Sequence, residues 1–375
     1  MTTFRVAYLP GDGIGPEVTA VARRCVDAAG ERFGFTVSWD AQGVGGAAID
    51  ETGSPLPYGT LDACRRADAV LLGAVGGPRW SDPRAEVRPE QALLALRSEL
   101  GLFANLRPVR AHPSLAGSSP IRPEIREGAD LLIVRELTGG LYFGTPQGPE
   151  RGADGVEGAV DTLRYTRPEI ERVVDLAFSL AEGRRNHLTS VDKANVLATS
   201  RLWRQVVDEI AERHPRVSVE HALVDSTALA LIADPRRFDV IVTENLFGDI
   251  LSDEAAAIAG SLGMLPSASL GRVSGGEIKA SRRFGLYEPV HGSAPDIAGK
   301  GLANPTAAVA SAALMLRWSL DEAAAADALD AAVDTVIAKG PRTADLGGDA
   351  GTASVEAALL DALSPPVAAA TGATA

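Results

Sequence analysis

The chain has 375 residues, 46% of them apolar and 23% charged, an ordinary globular composition with enough surface to bury for two domains or one large bilobed unit. A formal net charge of −13 disfavours nucleic-acid and anionic-membrane surfaces, so an anionic substrate would need cations gathered locally. Cys25 and Cys64 are the only cysteines, no run approaches the roughly 20 apolar residues of a membrane span, and no apolar signal core follows Met1, which together predict a soluble, cytoplasmic chain without a disulfide framework.

Strand-like and helix-like segments alternate along the chain, which predicts the α/β class. Arg5 to Leu9 reads as a buried first strand that ends at the turn Pro10-Gly-Asp-Gly-Ile-Gly-Pro16. Glu17 to Ala29 reads as the following helix, with Pro16 suited to its first turn. Further strands are predicted over residues 36–39, 69–73, 131–134, 159–165, 187–191, 217–221 and 240–243. Thr166-Arg-Pro-Glu169 has the form of a capping box, and Ile170, Val173, Val174, Ala177, Phe178 and Ala181 follow at helical spacing. The low-complexity tail after Leu363 is expected to be disordered.

Three constellations carry chemistry. The turn at Gly11, Gly13 and Gly15 follows a strand and opens a helix, but its spacing is G-x-G-x-G rather than G-x-G-x-x-G. Glycines taking up positive φ in a tight turn explain it at least as well as a dinucleotide fingerprint does. In the second, Pro89 to Arg97 puts Leu93, Leu94 and Arg97 on overlapping helical faces, while Arg107 and Arg135 each end an apolar strand. One such arginine alone is most simply a structural ion pair; three in an acidic protein point to a bidentate clamp for carboxylates. In the third, Leu246-Phe-Gly-Asp-Ile-Leu-Ser-Asp places Asp249 and Asp253 four residues apart, on one face if the segment is helical. A solvated acidic face is the ordinary alternative, but Ile250, Leu251 and the 255–258 run look buried. Two converging carboxylates want a cation between them, and an all-oxygen set suits Mg²⁺ or Mn²⁺.

Eight blocks spread from about Arg5 to about Thr352 make the pattern specific. They begin at Gly11-Asp-Gly-Ile-Gly-Pro-Glu-Val, Arg88-Pro-Glu-Gln-Ala-Leu-Leu-Ala-Leu-Arg, Phe103-Ala-Asn-Leu-Arg-Pro and Val134-Arg-Glu-Leu-Thr-Gly-Gly-Leu-Tyr-Phe-Gly. Val191-Asp-Lys-Ala-Asn-Val, Asn245-Leu-Phe-Gly-Asp-Ile-Leu-Ser-Asp and Glu288-Pro-Val-His-Gly-Ser-Ala-Pro-Asp-Ile-Ala-Gly-Lys continue them, and Asp345-Leu-Gly-Gly-Asp-Ala-Gly-Thr352 closes the series. In this order the chain resembles the metal-dependent β-decarboxylating dehydrogenases, the isocitrate/isopropylmalate dehydrogenase family. The resemblance implies a two-domain α/β fold that is not a true Rossmann fold, with a cleft between the domains. Residues 1–102 and 261–375 would form the NAD-binding domain, and 103–260 the dimerisation and metal-binding domain. It also implies a homodimer in which the partner lends residues to each cleft.

Position by position, the resemblance implies that Arg97, Arg107 and Arg135 hold two substrate carboxylates, and that Asp249 and Asp253 ligate the metal from one subunit. Asp225 matches the ligand or base from the other subunit, next to Lys193; Tyr142 and Lys193 match the proton-handling pair, with Lys193 and Asp225 both open as the base. Ile14, Glu90, His291, Gly292, Ser293, Ala294, Asp296, Ile297 and Asn304 match cofactor-contacting positions. Asp296 would accept bonds from a free ribose 2′-hydroxyl and repel a 2′-phosphate, which implies NAD rather than NADP. Leu93, Leu94 and Val196 match the pocket for an isopropyl group. The activity implied is oxidative decarboxylation of 3-isopropylmalate to 4-methyl-2-oxopentanoate, as in leucine biosynthesis. The alternatives are a relative acting on D-malate, tartrate or homoisocitrate and, more distantly, a non-catalytic ligand-binding homologue. Two departures stand out: Ala92, where the family often has glycine, and a longer run over 274–283 before the cofactor loop.

Overall fold

The computed structural model describes residues 2–80, 82, 85–152, 154–273 and 283–364. The tail past Ser364 and the run 274–282 lie outside the described residues, and with them the expectations placed there. Twelve strands are described: β1 (Thr2–Gly11), β2 (Phe35–Ala41), β3 (Ala69–Ala74), β4 (Ala104–Arg110), β5 (Asp130–Glu136), β6 (Gln147–Arg151), β7 (Glu157–Asp161), β8 (His187–Asp192), β9 (Ser218–Leu223), β10 (Val240–Thr243), β11 (Pro266–Val273) and β12 (Arg283–Pro289). Ten of them form one sheet in the order β2-β1-β3-β12-β11-β4-β5-β10-β8-β9. The β2-β1-β3-β12 block is parallel, and so is the β5-β10-β8-β9 block. Between them, β12-β11, β11-β4 and β4-β5 are all antiparallel. The two parallel blocks therefore run in opposite senses, which separates this sheet from the all-parallel dinucleotide-binding fold.

The first strand shows how the sheet is buried on both faces. Phe4, Val6 and Tyr8 join one core cluster, while Ala7 and Leu9 join another, the period-two alternation of a strand. On the first face pack the helices Gly15–Phe33, Thr306–Trp318, Ala323–Lys339 and Thr352–Leu363 beside the β1 block, and Arg167–Glu182 and Ala198–Ala211 beside the β5 block. On the other face, Leu96 of the Glu90–Glu99 helix and Leu251 of the Asn245–Glu254 helix close two smaller cores.

Local rules explain the ends of these elements. The first helix begins at Gly15 and runs to Phe33, four residues past the predicted end, and stops where Gly34 turns left-handed at φ 87°. The capping box at Thr166 is present: its backbone N–H and hydroxyl both donate to Glu169 Oε2, each at 2.7 Å. The strand expected over 159–165 is corrected. It covers only Glu157–Asp161 and, among the described residues, pairs solely with β6, because beyond Asp161 the chain meets no neighbouring described strand and turns into the helix that starts at Arg167. No helix among the described residues is long and apolar enough to cross a membrane.

Candidate active site

A cleft of about 230 Å³ opens where the two parallel blocks meet. The end of β3 supplies Gly73 to Val75, the Glu90–Glu99 helix supplies Glu90, Leu93 and Arg97, and β4 and β5 supply Arg107 and Arg135. Tyr142, Asp249, Ser267 and the stretch Glu288–Gly292 complete the wall. A crevice where strand direction changes is where open α/β sheets place ligands.

All three predicted arginines reach this cleft, and all are buried. Arg107 donates through Nε to Asn105 Oδ1 (2.8 Å), through Nη1 to Ser252 Oγ (2.5 Å) and Asp253 Oδ1 (3.2 Å), and through Nη2 to Asp249 Oδ1 (3.4 Å). Arg135 donates through Nε to Asn245 Oδ1 (3.0 Å) and through Nη1 to Asp249 Oδ1. Arg97 reaches Glu288 Oε1 at 3.3 Å, while its buried Nε–H has no acceptor among the described residues. A buried guanidinium with a donor to spare fits an incoming carboxylate. Burial, reinforced by Arg97 and Arg107, pulls the Arg135 guanidinium down from its ordinary value, yet leaves it charged at neutral pH.

Asp249 and Asp253 lie on the Asn245–Glu254 helix, one turn apart as predicted. Glu244 starts this helix by accepting from the Phe247 N–H at 2.9 Å. Gly248 lets it lie against Arg135, since a Cβ there would come within 2.7 Å of Arg135 Cγ. Burial would push Asp249 up, but Arg135, Arg107 and the Tyr142 hydroxyl (2.9 Å) hold it below the usual carboxylate range. Burial also pushes Asp253 up, Asp249 adds to the rise, and Arg107 does not offset it, so Asp253 ends above its ordinary range. Two carboxylates in this relation, Asp253 with an exposed side chain, suit a hard divalent cation in their donor chemistry. Tyr142 is pushed up by burial and then by Asp249, so its phenol keeps its proton.

The third predicted acid is elsewhere. Asp225 pairs with Lys193, Nζ to Oδ1 at 2.8 Å, and that bond holds the Asp225 carboxyl below its ordinary range. Neither residue lines the cleft, and no three acidic, histidine or cysteine side chains come together among the described residues of one chain. Val196, three residues past Lys193, is 63% exposed, and Leu94 is half-buried outside the cleft wall; only Leu93 of the three predicted apolar residues faces it. The Ala92 methyl group sits in a core cluster, not in the cleft wall.

Of the predicted cofactor residues, Glu90, His291 and Gly292 line the cleft. The Ile14 N–H donates to Ser293 O at 2.8 Å, and a Cβ on Gly13 (φ 58°) would collide with that same carbonyl, so this glycine is set by close approach of two loops. Asp12 draws the turn down further by accepting from the N–H groups of Gly46, Ala47 and Gly76 at 2.7 to 2.9 Å. The glycine turn is thus built as a tight structural turn. His291 Nδ1–H donates to Gly292 O (3.0 Å), its Nε2 is buried with no partner among the described residues, and burial lowers its pKa, so a neutral ring offers one open acceptor. Gly292 and Asp296 are exposed, Ala294 turns left-handed at φ 39°, and Ile297 is half-buried beyond it. Glu90 Oε1 lies across from Gly76, and Asn304 is engaged by Asp345 (3.0 Å) and the Thr306 N–H (3.0 Å).

Asn105, Asn245, Ser252, Glu288 and Asp12 were not singled out from sequence. Asn105 could have been, since it stands two residues before Arg107 on the same strand face. Asn245 could not, because its bond to Arg135 spans 110 positions.

A family model described as isocitrate/isopropylmalate dehydrogenase matches residues 5–359. A 3-isopropylmalate dehydrogenase of Anaeromyxobacter dehalogenans is 55% identical over 359 residues, 96% of this chain and 99% of that one. One from Heyndrickxia coagulans is 57% identical over 92% of this chain and 91% of its own. Among solved structures, isocitrate dehydrogenase from Methylococcus capsulatus aligns with a TM-score of 0.83 at 35% identity, covering 96% and 99% of the two chains. A β-decarboxylating dehydrogenase from Thermococcus kodakarensis gives 0.75 at 38% identity over 96% of each. With the cleft and these relatives in agreement, the chain belongs to the isocitrate/isopropylmalate dehydrogenase family.

Proposed function

We propose that the chain oxidises and decarboxylates 3-isopropylmalate to 4-methyl-2-oxopentanoate with NAD⁺, a step of leucine biosynthesis, in the cytoplasm. The observation that carries this reading is the set Arg97, Arg107 and Arg135 around a cleft whose apolar wall includes Leu93. Its support comes also from relatives at 54–57% identity named for this activity.

In this reading the three arginines hold the two carboxylates, and Leu93 receives the isopropyl group. Asp249 and Asp253 would hold Mg²⁺ or Mn²⁺, which when bound lowers the pKa of the substrate hydroxyl and stabilises negative charge after hydride loss. The neutral His291 ring takes the adenine end of NAD, Asp296 the ribose hydroxyls, and Glu90 faces the nicotinamide side. The Lys193–Asp225 pair receives the hydroxyl proton, and the Tyr142 phenol, protonated by its surroundings, returns a proton to carbon.

Since Lys193 and Asp225 lie off this chain's own cleft, a second subunit brings them in. The exposed Val196, Leu229 and Ile250, the last expected from sequence to be buried, belong to the face where it docks. The two domains, 1–102 with 261–375 and 103–260, then close on substrate as halves of the sheet.

The test is NADH formation with 3-isopropylmalate, D-malate, tartrate, isocitrate and homoisocitrate in parallel, with NAD⁺ or NADP⁺, with and without EDTA. The expected result is a dominant, EDTA-sensitive rate with 3-isopropylmalate and NAD⁺. A larger rate with another acid would overturn the substrate assignment, and no rate with any would overturn the enzyme reading.

A further inference from the structure

We infer that Arg204 is a positioning residue for the proton-handling Lys193, acting through the buried carboxylate of Asp192. The inference rests on the role of Lys193 proposed above. Lys193 is the first residue after β8, and it sits on a turn fastened almost entirely by one face of the Ala198–Ala211 helix. Ser200 Oγ accepts the Lys193 N–H at 3.0 Å. Arg201 Nη1 donates to the carbonyls of Ala194 (3.2 Å) and Val196 (3.3 Å). Arg204 Nε donates to Asp192 Oδ2 at 2.6 Å, and Asp192 Oδ1 accepts the Ala194 N–H at 2.7 Å. Lys193 O closes the turn by accepting from the Val196 and Leu197 N–H groups at 3.0 and 2.9 Å.

The charges explain why an arginine is needed here. Asp192 is 1% exposed, so its carboxylate is costly without a cation, and the nearest alternative cation in sequence is Lys193 itself. Arg204 occupies Asp192 from the helix side. Lys193 is then free to point away, to Asp225, as successive residues leaving a strand do. Without Arg204 the unpaired carboxylate competes for the lysine, and the ammonium leaves the place where the substrate hydroxyl would be met. Displacements of about an ångström in such groups cost one or two orders of magnitude in rate.

The experiment compares Arg204→Met, Arg204→Lys and Ser200→Ala in the wild-type background, and Arg204→Met in a Lys193→Ala background, using the intact dimer. Arg204→Met is expected to lower kcat on the order of tenfold, with KM for 3-isopropylmalate and NAD⁺ nearly unchanged. Arg204→Lys should recover most of the loss, and Ser200→Ala, a milder change that also loosens the turn, should lower kcat in the same selective way. In the Lys193→Ala background Arg204→Met should add nothing to the residual defect. Losses that multiply between Arg204 and Lys193, or that fall on KM, would overturn the inference while leaving Lys193 in place. A wild-type kcat in Lys193→Ala would instead overturn the lysine's role, and the inference would go with it. If Arg204→Met does not fold, an unchanged kcat in Ser200→Ala overturns it equally.

Discussion

Tyr142 and Asp249 show how one hydrogen bond can set the state of both partners. The phenol donates to Asp249 Oδ2 at 2.9 Å, which helps to keep the carboxylate charged and the phenol protonated. Removing the hydroxyl in Tyr142→Phe leaves Asp249 its two arginines, so folding and metal affinity should change little. Turnover should fall by about two to four orders of magnitude if the phenol is the acid. Steady-state kinetics beside thermal melting tests this, and an active, normally melting Tyr142→Phe enzyme would remove Tyr142 from the proton path. These residues were legible because motif and chemistry agreed on them: three arginines in apolar settings and two acids one turn apart. Asn245, Ser252 and Glu288 were not, since each earns its place through a contact made only after folding.

The helix that carries both aspartates depends on a buried junction at its first turn. The Tyr165 hydroxyl accepts the Asn245 N–H at 2.9 Å and donates to Glu244 Oε2 at 3.4 Å, while Asn245 in turn holds Arg135. Tyr165→Phe leaves a buried N–H and a buried carboxylate short of a partner, which should cost about 1–3 kcal/mol. Urea denaturation should show that loss as a lower midpoint at unchanged slope; an unchanged midpoint would mean that water replaces the hydroxyl. Cys25 in the first helix and Cys64 in the helix Tyr58–Arg66 make a second prediction at this scale. Burial pushes each thiol up to about 12, so at pH 8 the folded protein should resist thiol reagents that label both residues after unfolding. Fast labelling of the native protein would show that one of these helices opens. Sequence revealed elements with strong local pattern, such as β8, β10 and the capped Arg167 helix. It did not reveal β11 and β12, whose pairing at the sheet centre decides the reversal of direction, and it overran β7, where alternation continues after the pairing partner has ended.

On the scale of the molecule, the proposed function divides its chemistry between two places. One chain presents the arginines, Tyr142 and Asp249 in the cleft, with Asp253 paired to Arg107, and presents Lys193, Asp225 and Val196 at a separate, more exposed surface. Under the proposed function a monomer with these parts would have no complete site, whereas a twofold dimer that brings the second set to the neighbour's cleft would have two. This arrangement has a consequence that no single-chain site would share. Lys193→Ala and Arg135→Ala should each be nearly inactive alone, because every site in either homodimer lacks one group. Unfolded together and refolded, the two chains should form mixed dimers in which one site takes Arg135 from the first chain and Lys193 from the second. Random pairing makes half the dimers mixed, each with one intact site, so about a quarter of wild-type activity should return. Mixing the folded homodimers without refolding should return none until subunits exchange. If co-refolding recovers nothing while the mixed dimer is seen by mass, the lysine and the arginine serve the same chain, and the shared site falls.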